Sequence, residues 1–359
     1  MSQVLAVAPV LGAHAYRQED ITATIAPLLT SDPVRRALLE RVHAASGVDT
    51  RHLARPLSSY ADLTDFGAAN DAFVEIGTDL AATAVTDALR SAGLRPTDVD
   101  YLFFTSVTGV SAPSLDALLA ERVGMRADIR RVPSFGLGCA GGAAGLGIVH
   151  DHLLAHPGHA ALLVSVELCS LTVQHGDDST ANLVASGLFG DGGAAVVMAG
   201  AAHPAARRAA PSGRPGPDVV DAASRLYHGT ADHLGWTVGT SGFRIVLSQG
   251  LPSLIRSHLA DDVRALLEPH DLKPRDVTAW VVHAGGPRIL EAVRDSLDLD
   301  ADALAASVGV LARTGNLSSA SVLHVLDAAM RTPREPGDWG VAVAFGPGVG
   351  AELVLLRWR

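Results

Sequence analysis

Cys139 is the residue whose chemistry stands out first in this 359-residue sequence. It lies in the glycine-rich stretch 132–154, VPSFGLGCAGGAAGLGIVHDHLL, which predicts a strand or turn over residues 132–137 and a helix of small residues that begins at or just after the cysteine. The unpaired N–H groups and the positive dipole end of a helix N-terminus favour the thiolate, which is the nucleophilic form of cysteine. We therefore expect Cys139 to ionise readily and to act as a nucleophile.

The alternative is that Cys139 is a buried thiol that only packs, because free cysteine often behaves as a small hydrophobic residue. The glycines that follow it argue against this interpretation. Gly141, Gly142, Gly145 and Gly147 lie within the predicted helix, where each glycine costs roughly 1 kcal/mol relative to alanine. Close approach of another backbone, or of a substrate, to the start of the helix would explain them.

An internal repeat brings two more polar residues into comparable positions. Residues 94–106 and 272–284 both read as a Leu-x-Pro-x-Asp-Val turn and a buried strand, and the strands end near Thr105 and His283. Residues 138–144 and 315–321 each precede a helix, so the repeat makes Cys139 and Asn316 equivalent. We expect two similar α/β halves around a pseudo-twofold axis, with Cys139, His283 and Asn316 converging on one cleft.

These three side chains suit acyl transfer. A histidine can hold a thiolate as an ion pair and later donate a hydrogen bond to a developing oxyanion. Asn316 adds a neutral donor, and no Asp or Glu stands beside it, which matters because a carbanion formed by decarboxylation must not be protonated early. The alternatives are that His283 is a satisfied buried histidine and that Asn316 is a helix cap.

The elements that position these residues divide the chain into three parts. Residues 1–200 form an N-terminal half with the nucleophile, residues 201–218 an exposed linker loop rich in Pro, Gly and Arg, and residues 219–359 a C-terminal half with His283 and Asn316. In the first half we expect a strand at residues 4–10, a helical segment at 21–46, a polar connection at 47–57 and a helix at 71–92 that stops at Gly93. Residues 187–200 and 340–356, where we expect the closing strands of the two halves, correspond loosely to each other in the repeat.

Composition excludes several classes of function. A formal net charge of -10 offers no basic stripe for nucleic acid. Two cysteines are too few for a disulfide framework or a thiolate zinc site, which favours a reducing cytoplasm. The N-terminus has no signal-peptide pattern, and no stretch reaches the roughly 18 apolar residues that span a bilayer. We therefore expect a cytoplasmic protein that binds no nucleic acid and does not insert into membranes.

Four motifs resemble the signatures of the type III polyketide synthases, the chalcone synthase group of the thiolase superfamily. They are GCAGG at Cys139, HAGGP at His283, GNLSSAS at Asn316 and AFGPGVG at residues 344–350. GVDTRH at 47–52, GLFGDG at 187–192 and TSGFRIVLS at 240–248 extend the resemblance over nearly the whole chain. It implies a thiolase-like layered αβαβα fold built from two pseudo-equivalent halves, and a homodimer.

The resemblance also implies an acyltransferase activity. An acyl-CoA starter loads onto Cys139, and malonyl-CoA is decarboxylated at an oxyanion hole formed by His283 and Asn316. The resulting enolate attacks the acyl thioester, repeated rounds extend the chain, and cyclisation gives a pyrone, a resorcinol or a related aromatic product. No cofactor or metal is expected beyond the CoA substrates.

Three departures from the family pattern concern the substrate cavity. Cys169 stands where the plant enzymes have Thr, although it could be a plain buried thiol; Ile245 falls roughly where a gatekeeping Phe is usual, and Ala112 where a Met reaches over the partner's pocket. They suggest a cavity that is roomier and more apolar than a chalcone-type one. Such a cavity fits aliphatic starters best and leaves malonyl-CoA as an alternative starter. The residues implied to bind substrate are Arg51, Ala112, Cys169, Thr172, Phe189, Ile245, Gly285, Gly286, Pro287, Ser318, Gly346, Pro347 and Gly348.

Two other functions compete with this one. A β-ketoacyl-ACP synthase III uses the same Cys, His and Asn for a single condensation onto a carrier protein. That family usually has His-Gln-Ala-Asn after the histidine strand, whereas this chain has His-Ala-Gly-Gly-Pro at residues 283–287 and no evident basic patch for an acidic carrier. A non-catalytic partner subunit of thiolase fold would lack the nucleophile, which is present here as Cys139.

Overall fold

The computed structural model describes residues 1–207 and 216–359 of the chain. The strands in these residues are β1 Ser2–Leu11, β2 His14–Arg17, β3 Thr50–Leu53, β4 Tyr101–Thr105, β5 Arg130–Ser134, β6 Ala160–Leu168, β7 Asp191–Gly200, β8 Asp218–Leu226, β9 Leu234–Gly239, β10 Gly242–Leu247, β11 Val277–Val282, β12 Trp339–Gly346 and β13 Gly350–Arg357. The α-helices are α1 Gln18–Leu29, α2 Pro33–Ala44, α3 Phe66–Ala92, α4 Leu115–Arg122, α5 Gly141–Ala155, α6 Thr180–Leu188, α7 Leu251–Leu267, α8 Pro287–Leu297, α9 Ala305–Thr314 and α10 Ser321–Arg331.

Nine of these strands form one sheet in which four strands of each half follow the same order, and β5 is an additional edge strand. The order is β11-β12-β13-β8-β1-β7-β6-β4-β5. In both halves a parallel pair (β4 with β6, β11 with β12) is followed by two antiparallel pairings that lead to β1 and β8. The halves meet where Ser2 pairs with Val219 and Gln3 with Asp218. The predicted repeat is therefore confirmed, and β7 corresponds to β13, while β12 corresponds to β6.

Helices on both sides of the sheet complete the predicted αβαβα layers. α5 and α10 contact each other and strands of both halves, so they form the middle layer. α3 packs on β1, β6 and β7, and α7 packs on β8 and β13, which places them in the outer layers. Alternate residues of β6 enter different cores, Leu163 on the side of α5 and Leu162 on the side of α3. A strand covered on both faces is apolar without alternation for this reason.

Local structure differs from prediction in two places. The helical segment expected at residues 21–46 is two helices, because Asp32 caps α2 by accepting a hydrogen bond from the Val34 N–H (2.8 Å) and Pro33 follows it. The connection expected at 47–57 contains β3, which pairs with β2. α3 ends at Gly93, which adopts the left-handed conformation (φ 66°), as predicted.

The predicted linker, residues 201–218, is only partly described. Pro204–Arg207 form a 3-10 turn in which Ala205 and Ala206 are buried, and residues 216–218 are buried where they enter β8. Ala201, Ala202, Pro204 and Arg207 are exposed, as expected for the linker, and residues 208–215 lie outside the described residues. Within the described ranges, no helix has the length and apolar character needed to cross a bilayer.

Candidate active site

Cys139 lies in a 3-10 turn, Gly138–Ala140, between β5 and the first residue of α5. The predicted position at a helix start is confirmed. Gly138 has φ 51°, and a Cβ on it would overlap the ring of Pro347. A Cβ on Gly346 would overlap the Leu137 carbonyl oxygen. The loop 346–348 therefore packs directly on the turn that holds the thiol, and glycine at 138 and 346 permits this contact.

The glycines at the start of α5 allow the two middle-layer helices to approach closely. A Cβ on Gly142 would overlap the Ser319 carbonyl oxygen, and a Cβ on Gly141 would lie 2.6 Å from Thr105 Oγ1. Ser319 belongs to the 3-10 turn Ser318–Ala320 that precedes α10. Close approach of another backbone, one of the two reasons considered for the glycine run, is therefore observed at Gly142, whereas Gly141, Gly145 and Gly147 are approached by side chains.

The structure corrects the predicted equivalence of Cys139 and Asn316. Gly138 (φ 51°) and Ser318 (φ 48°) are the left-handed first residues of the two 3-10 turns, and α5 and α10 begin three residues after them. Cys139 is therefore equivalent to Ser319. Asn316 lies three residues earlier, because the Gly-x pair at 315–316 resembles the pair at 138–139 in sequence but precedes the turn.

Asn316 is held by the N-terminal half of the chain. Its N–H donates to the Leu188 carbonyl (2.7 Å), and its carbonyl accepts from the Gly190 N–H (3.0 Å), on either side of Phe189. The side-chain Oδ1 accepts from the Ser318 N–H (2.8 Å), and Nδ2 donates to the Gly285 carbonyl (3.3 Å). The contact of Oδ1 with the Ser318 N–H is the cap-like contact considered above. Nδ2 is a donor that faces the segment after His283.

His283 directly follows β11 and is buried. Its N–H donates to the Val343 carbonyl (2.8 Å), which continues the pairing of β11 with β12. The ring Nδ1 has no hydrogen-bond partner among the described residues, so this is not a satisfied buried histidine. A Cβ on Gly285 would lie 3.3 Å from His283 Nε2, which explains the small residue after the histidine. Burial lowers the pKa of His283 to about 4.

The Cys139 thiol lies beside Ser318, two residues after Asn316. Cys139 Sγ lies 3.7 Å from Ser318 Oγ. Burial raises the pKa of Cys139 to about 12; the hydrogen bond to Ser318 and one to the Asn316 side chain lower it, and the charge of Glu167 raises it. The prediction that the helix start makes Cys139 ionise readily is therefore wrong for the thiol taken alone, since loss of solvation outweighs the hydrogen bonds.

Glu167, on β6, is a buried charged residue that the sequence analysis missed. Its Oε2 accepts from Ser106 Oγ (3.2 Å), the Val107 N–H (3.1 Å) and Thr108 Oγ1 (2.9 Å), and its Oε1 accepts from Ser319 Oγ. Burial raises its pKa, and these hydrogen bonds oppose the shift. A lone carboxylate in a strand whose other residues are nearly all apolar was the available signal. Glu167 ties β6 of one half to the turn before α10 of the other.

A pocket with about 550 Å³ of space, including its opening to solvent, is lined by five of the predicted substrate residues. Phe189 lines this pocket and also pairs with Asn316, so it connects the pocket to the segment that carries Asn316. The predicted residues that line it are Arg51, Cys169, Thr172, Phe189 and Ile245. Those that do not are Ala112, Gly285, Gly286, Pro287, Ser318, Gly346, Pro347 and Gly348. The last group, apart from the exposed Ala112, belongs to the segments around Cys139, His283 and Asn316.

The wall of this pocket has polar and apolar parts. Arg51 is buried; its Nη1 donates to the carbonyls of Ser186 (2.7 Å) and Phe189 (2.9 Å), while Nε and Nη2 have no partner among the described residues. Tyr60 contacts Ser170 (2.5 Å between the two hydroxyl oxygens), and Ser170 donates to Asp191. The apolar wall consists of Ile21, Ile25, Leu53, Val173, Ala185 and Ile245.

An aromatic cluster next to Ile245 was also missed. Phe243 lies two residues before Ile245 on β10 and is buried. Its ring centroid is 5.3 Å from that of Phe66, 6.0 Å from Phe135 and 6.2 Å from Trp236. The aromatic residue of this strand is therefore Phe243, and Ile245 extends the same face into the pocket.

Comparison with known proteins finds family models and relatives that match nearly the whole chain. The family Chalcone and stilbene synthases, C-terminal domain, matches residues 218–358, and the family FAE1/Type III polyketide synthase-like protein matches residues 19–211. The chain is 53% identical to a 1,3,6,8-tetrahydroxynaphthalene synthase of Streptomyces peucetius subsp. caesius, over 99% of this chain and 93% of the relative. It is 33% identical to an alpha-pyrone synthesis polyketide synthase-like protein, Pks18, of Mycobacterium tuberculosis, over 95% and 87%. The crystal structure of 1,3,6,8-tetrahydroxynaphthalene synthase from Streptomyces coelicolor A3(2) superposes with a TM-score of 0.89 at 30% identity, over 99% of both chains.

Proposed function

The chain belongs to the type III polyketide synthase family, an acyltransferase family that condenses malonyl-CoA units iteratively, and we propose that it makes a polyhydroxylated aromatic product with Cys139, His283 and Asn316 as catalytic residues. The contacts of Asn316 with the segments that carry the other two groups support the proposal. Its Nδ2 donates to the carbonyl of Gly285, which lies against His283, and its Oδ1 accepts from the N–H of Ser318, whose Oγ lies 3.7 Å from the Cys139 thiol.

In the proposed loading step, Cys139 and His283 act as a pair. Burial disfavours a charge on either group alone, since it raises the pKa of the thiol and lowers that of the imidazole. Moving the thiol proton to the imidazole creates both charges together and leaves the net charge of the site unchanged. The thiolate then attacks the thioester carbonyl of the starter, the bond from that carbonyl to the CoA sulfur breaks, and the imidazolium returns its proton to the departing CoA thiolate.

In the proposed extension step, His283 and Asn316 donate hydrogen bonds to the thioester oxygen of malonyl-CoA. Loss of CO₂ leaves an electron pair that is delocalised onto this oxygen as an enolate, where preorganised donors stabilise it. The carbon end of the enolate attacks the acyl group on Cys139 and releases the thiolate. Glu167 is the buried carboxylate near the thiol, and its oxygens already accept hydrogen bonds, which favours survival of the enolate until it reacts.

The pocket supports an oxygen-rich chain made from malonyl-CoA alone. The 53% identical relative is named for a tetrahydroxynaphthalene, whose carbon skeleton can be assembled from two-carbon units. In this chain buried Arg51 lines the pocket, and its positive charge would favour the carbonyl or enolate oxygens of such a chain. The apolar lining residues, among them Ile21, Ile25 and Leu53, suit a second candidate, an aliphatic starter that ends in a pyrone. A single condensation onto a carrier protein is set aside, because the chain belongs to the type III family.

We further propose a homodimer that needs no cofactor besides its CoA substrates. Ala112 supports the dimer, since it is exposed on the single chain and lies outside that chain's own pocket. Equilibrium sedimentation of the untagged protein measures this directly. A monomer at micromolar concentration would contradict the proposal.

Product analysis tests the proposed function. The protein is incubated with malonyl-CoA alone and with a series of aliphatic acyl-CoA starters, and products are identified by mass spectrometry. We expect an aromatic polyketide from malonyl-CoA alone. Products that form only when an aliphatic starter is added would favour the pyrone alternative, and release of carrier-free β-ketoacyl products after one condensation would contradict both.

Arg51→Lys tests the role of the pocket. Lysine retains the positive charge but lacks the planar set of donors, so we expect malonyl-CoA decarboxylation to continue while shorter, prematurely released products replace the aromatic one. His258→Gln, an exposed change outside the pocket, is the control. An unchanged product profile in Arg51→Lys would remove Arg51 from product control.

A further inference from the structure

Three histidines cluster at the end of α5 that is farthest from Cys139. His152 lies in the last turn of α5, His156 directly follows the helix, and His159 immediately precedes β6. One ring nitrogen of each lies within 4.8 Å of the others. A helix of 15 residues is about 22 Å long, so the cluster is separate from the site described above and has no part in the proposed reaction.

The spacing of two ring nitrogens matches that of metal ligands. His152 Nε2 and His159 Nδ1 are 3.2 Å apart, so they share one proton. Two imidazole nitrogens bound to a tetrahedral zinc ion, each at about 2.0–2.1 Å, are separated by about 3.3–3.4 Å. A cation can therefore replace the shared proton with little movement of either ring.

The third imidazole is oriented for the same role. His156 Nδ1 bonds to the His152 carbonyl (3.0 Å), which requires a proton on Nδ1 and leaves a lone pair on Nε2 of the neutral ring. A backbone carbonyl on the other ring nitrogen is the usual partner of a metal-binding histidine. The His156 ring stacks on His152 (centroids 4.4 Å apart) and on His159 (4.8 Å), and Tyr101 stacks on His152 (4.0 Å). These contacts hold the three rings together, with one ring nitrogen of each within 4.8 Å of the others.

Asp100, the carboxylate that acts on His152, is not free to join the cluster. Asp100 is already engaged by Arg126 (2.9 Å) and by the Ala160 N–H (2.8 Å). The ligand set is therefore three imidazoles without a carboxylate, which suits zinc, nickel or cobalt and not magnesium or calcium.

We propose that His152, His156 and His159 bind one divalent transition-metal cation, with zinc as the natural candidate and water in the remaining position. The cation joins the end of α5 to the start of β6, so its effect is on stability and not on the chemistry at Cys139.

Metal titration of the untagged, chelator-treated protein tests the proposal. Isothermal calorimetry with Zn²⁺ and visible spectra with Co²⁺ should show one site per chain with four-coordinate bands. Affinity should fall as the pH is lowered, because protons compete with the cation for the imidazole nitrogens. His156→Gln and His159→Gln should each weaken binding by roughly tenfold or more, and the double variant should abolish it together with the increase in melting temperature caused by Zn²⁺.

Two controls separate the cluster from other ligands. His258→Gln removes an exposed histidine that stacks on Tyr227 and should bind metal as the unmodified protein does. Cys139→Ala removes the thiol and should also leave the stoichiometry at one. Metal-free melting temperatures show whether each variant folds. Binding that persists in the double histidine variant, or that disappears in Cys139→Ala, would overturn the proposal.

Discussion

Replacing His283 with alanine should change how Cys139 responds to pH. In the unmodified protein we expect the thiolate to form by transfer of its proton to His283, a step that neither gains nor loses a proton from solvent. The rate of alkylation by iodoacetamide, a neutral reagent, should therefore be nearly independent of pH between about pH 6 and 9. In His283→Ala the thiol has no buried acceptor and must lose its proton to solvent.

The direction of the effect follows from the burial of the thiol. Burial raises the pKa of Cys139 to about 12, so in His283→Ala, where no imidazole accepts the thiol proton, the thiolate fraction should rise tenfold with each pH unit below that value. We expect alkylation of the variant to accelerate roughly 1000-fold between pH 6 and 9, and at pH 7 to be slower than in the unmodified protein.

Peptide mapping after alkylation assigns the label. Cys169 is buried, and burial raises its pKa well above the usual range, so the label should appear on Cys139 alone. His324→Gln is the matched control, since burial lowers the pKa of His324 to about 4 as it does for His283, but the ring bonds to the Gly193 carbonyl (2.9 Å). A tenfold increase per pH unit in the unmodified protein, equal to that of His283→Ala, would refute the paired ionisation.

Three further predictions concern the proposed oxyanion donor, the pocket and the close contact between α5 and the turn before α10. Asn316→Ala should still be acylated by labelled acyl-CoA but lose malonyl-CoA decarboxylation by about 100-fold or more, the scale of one lost donor; unchanged release of CO₂ would remove Asn316 from the site. Ile245→Phe should shorten the longest product seen by mass spectrometry while decarboxylation stays near its original rate, and an unmoved product length would place Ile245 outside the growing chain's path. Gly142→Ala should lower the free energy of unfolding by about 1–3 kcal/mol, because the new Cβ overlaps the Ser319 carbonyl. Gly147→Ala, whose Cβ meets the Ala222 side chain at 3.0 Å, should cost less, and equal urea midpoints for the two variants would count against the contact.

Features that depend on neighbours in the chain were predicted well. The turn and helix start at Cys139 follow from the glycine pattern of residues 138–147, and the end of α3 follows from Gly93. The repeat revealed two halves because each half must build the same strand and helix pattern, and the sheet order bears this out. Buried strands such as β4 and β6 were recognisable from continuous apolar sequence, since both of their faces are covered.

Sequence analysis could not show which residues of the two halves occupy equivalent positions. Gly138-Cys139 and Gly315-Asn316 look alike as letters, yet the left-handed residues that begin the two turns are Gly138 and Ser318. Backbone conformation, and not residue type, decides which positions are equivalent. The overlap that a side chain on Gly142 would make with Ser319 has the same origin, because it depends on how α5 and the turn before α10 meet in space.

The sequence by itself determined the chemical groups, the two-half architecture and the family, because these rest on residue types and on patterns along the chain. Only the tertiary structure decided their environment. Glu167 near Cys139, the unpaired donors of Arg51 in the pocket and the clustering of His152 with His159 all depend on folding. The ionisation of Cys139 shows the physical reason, since a helix start favours the thiolate locally, whereas the surrounding protein removes the water that would solvate it.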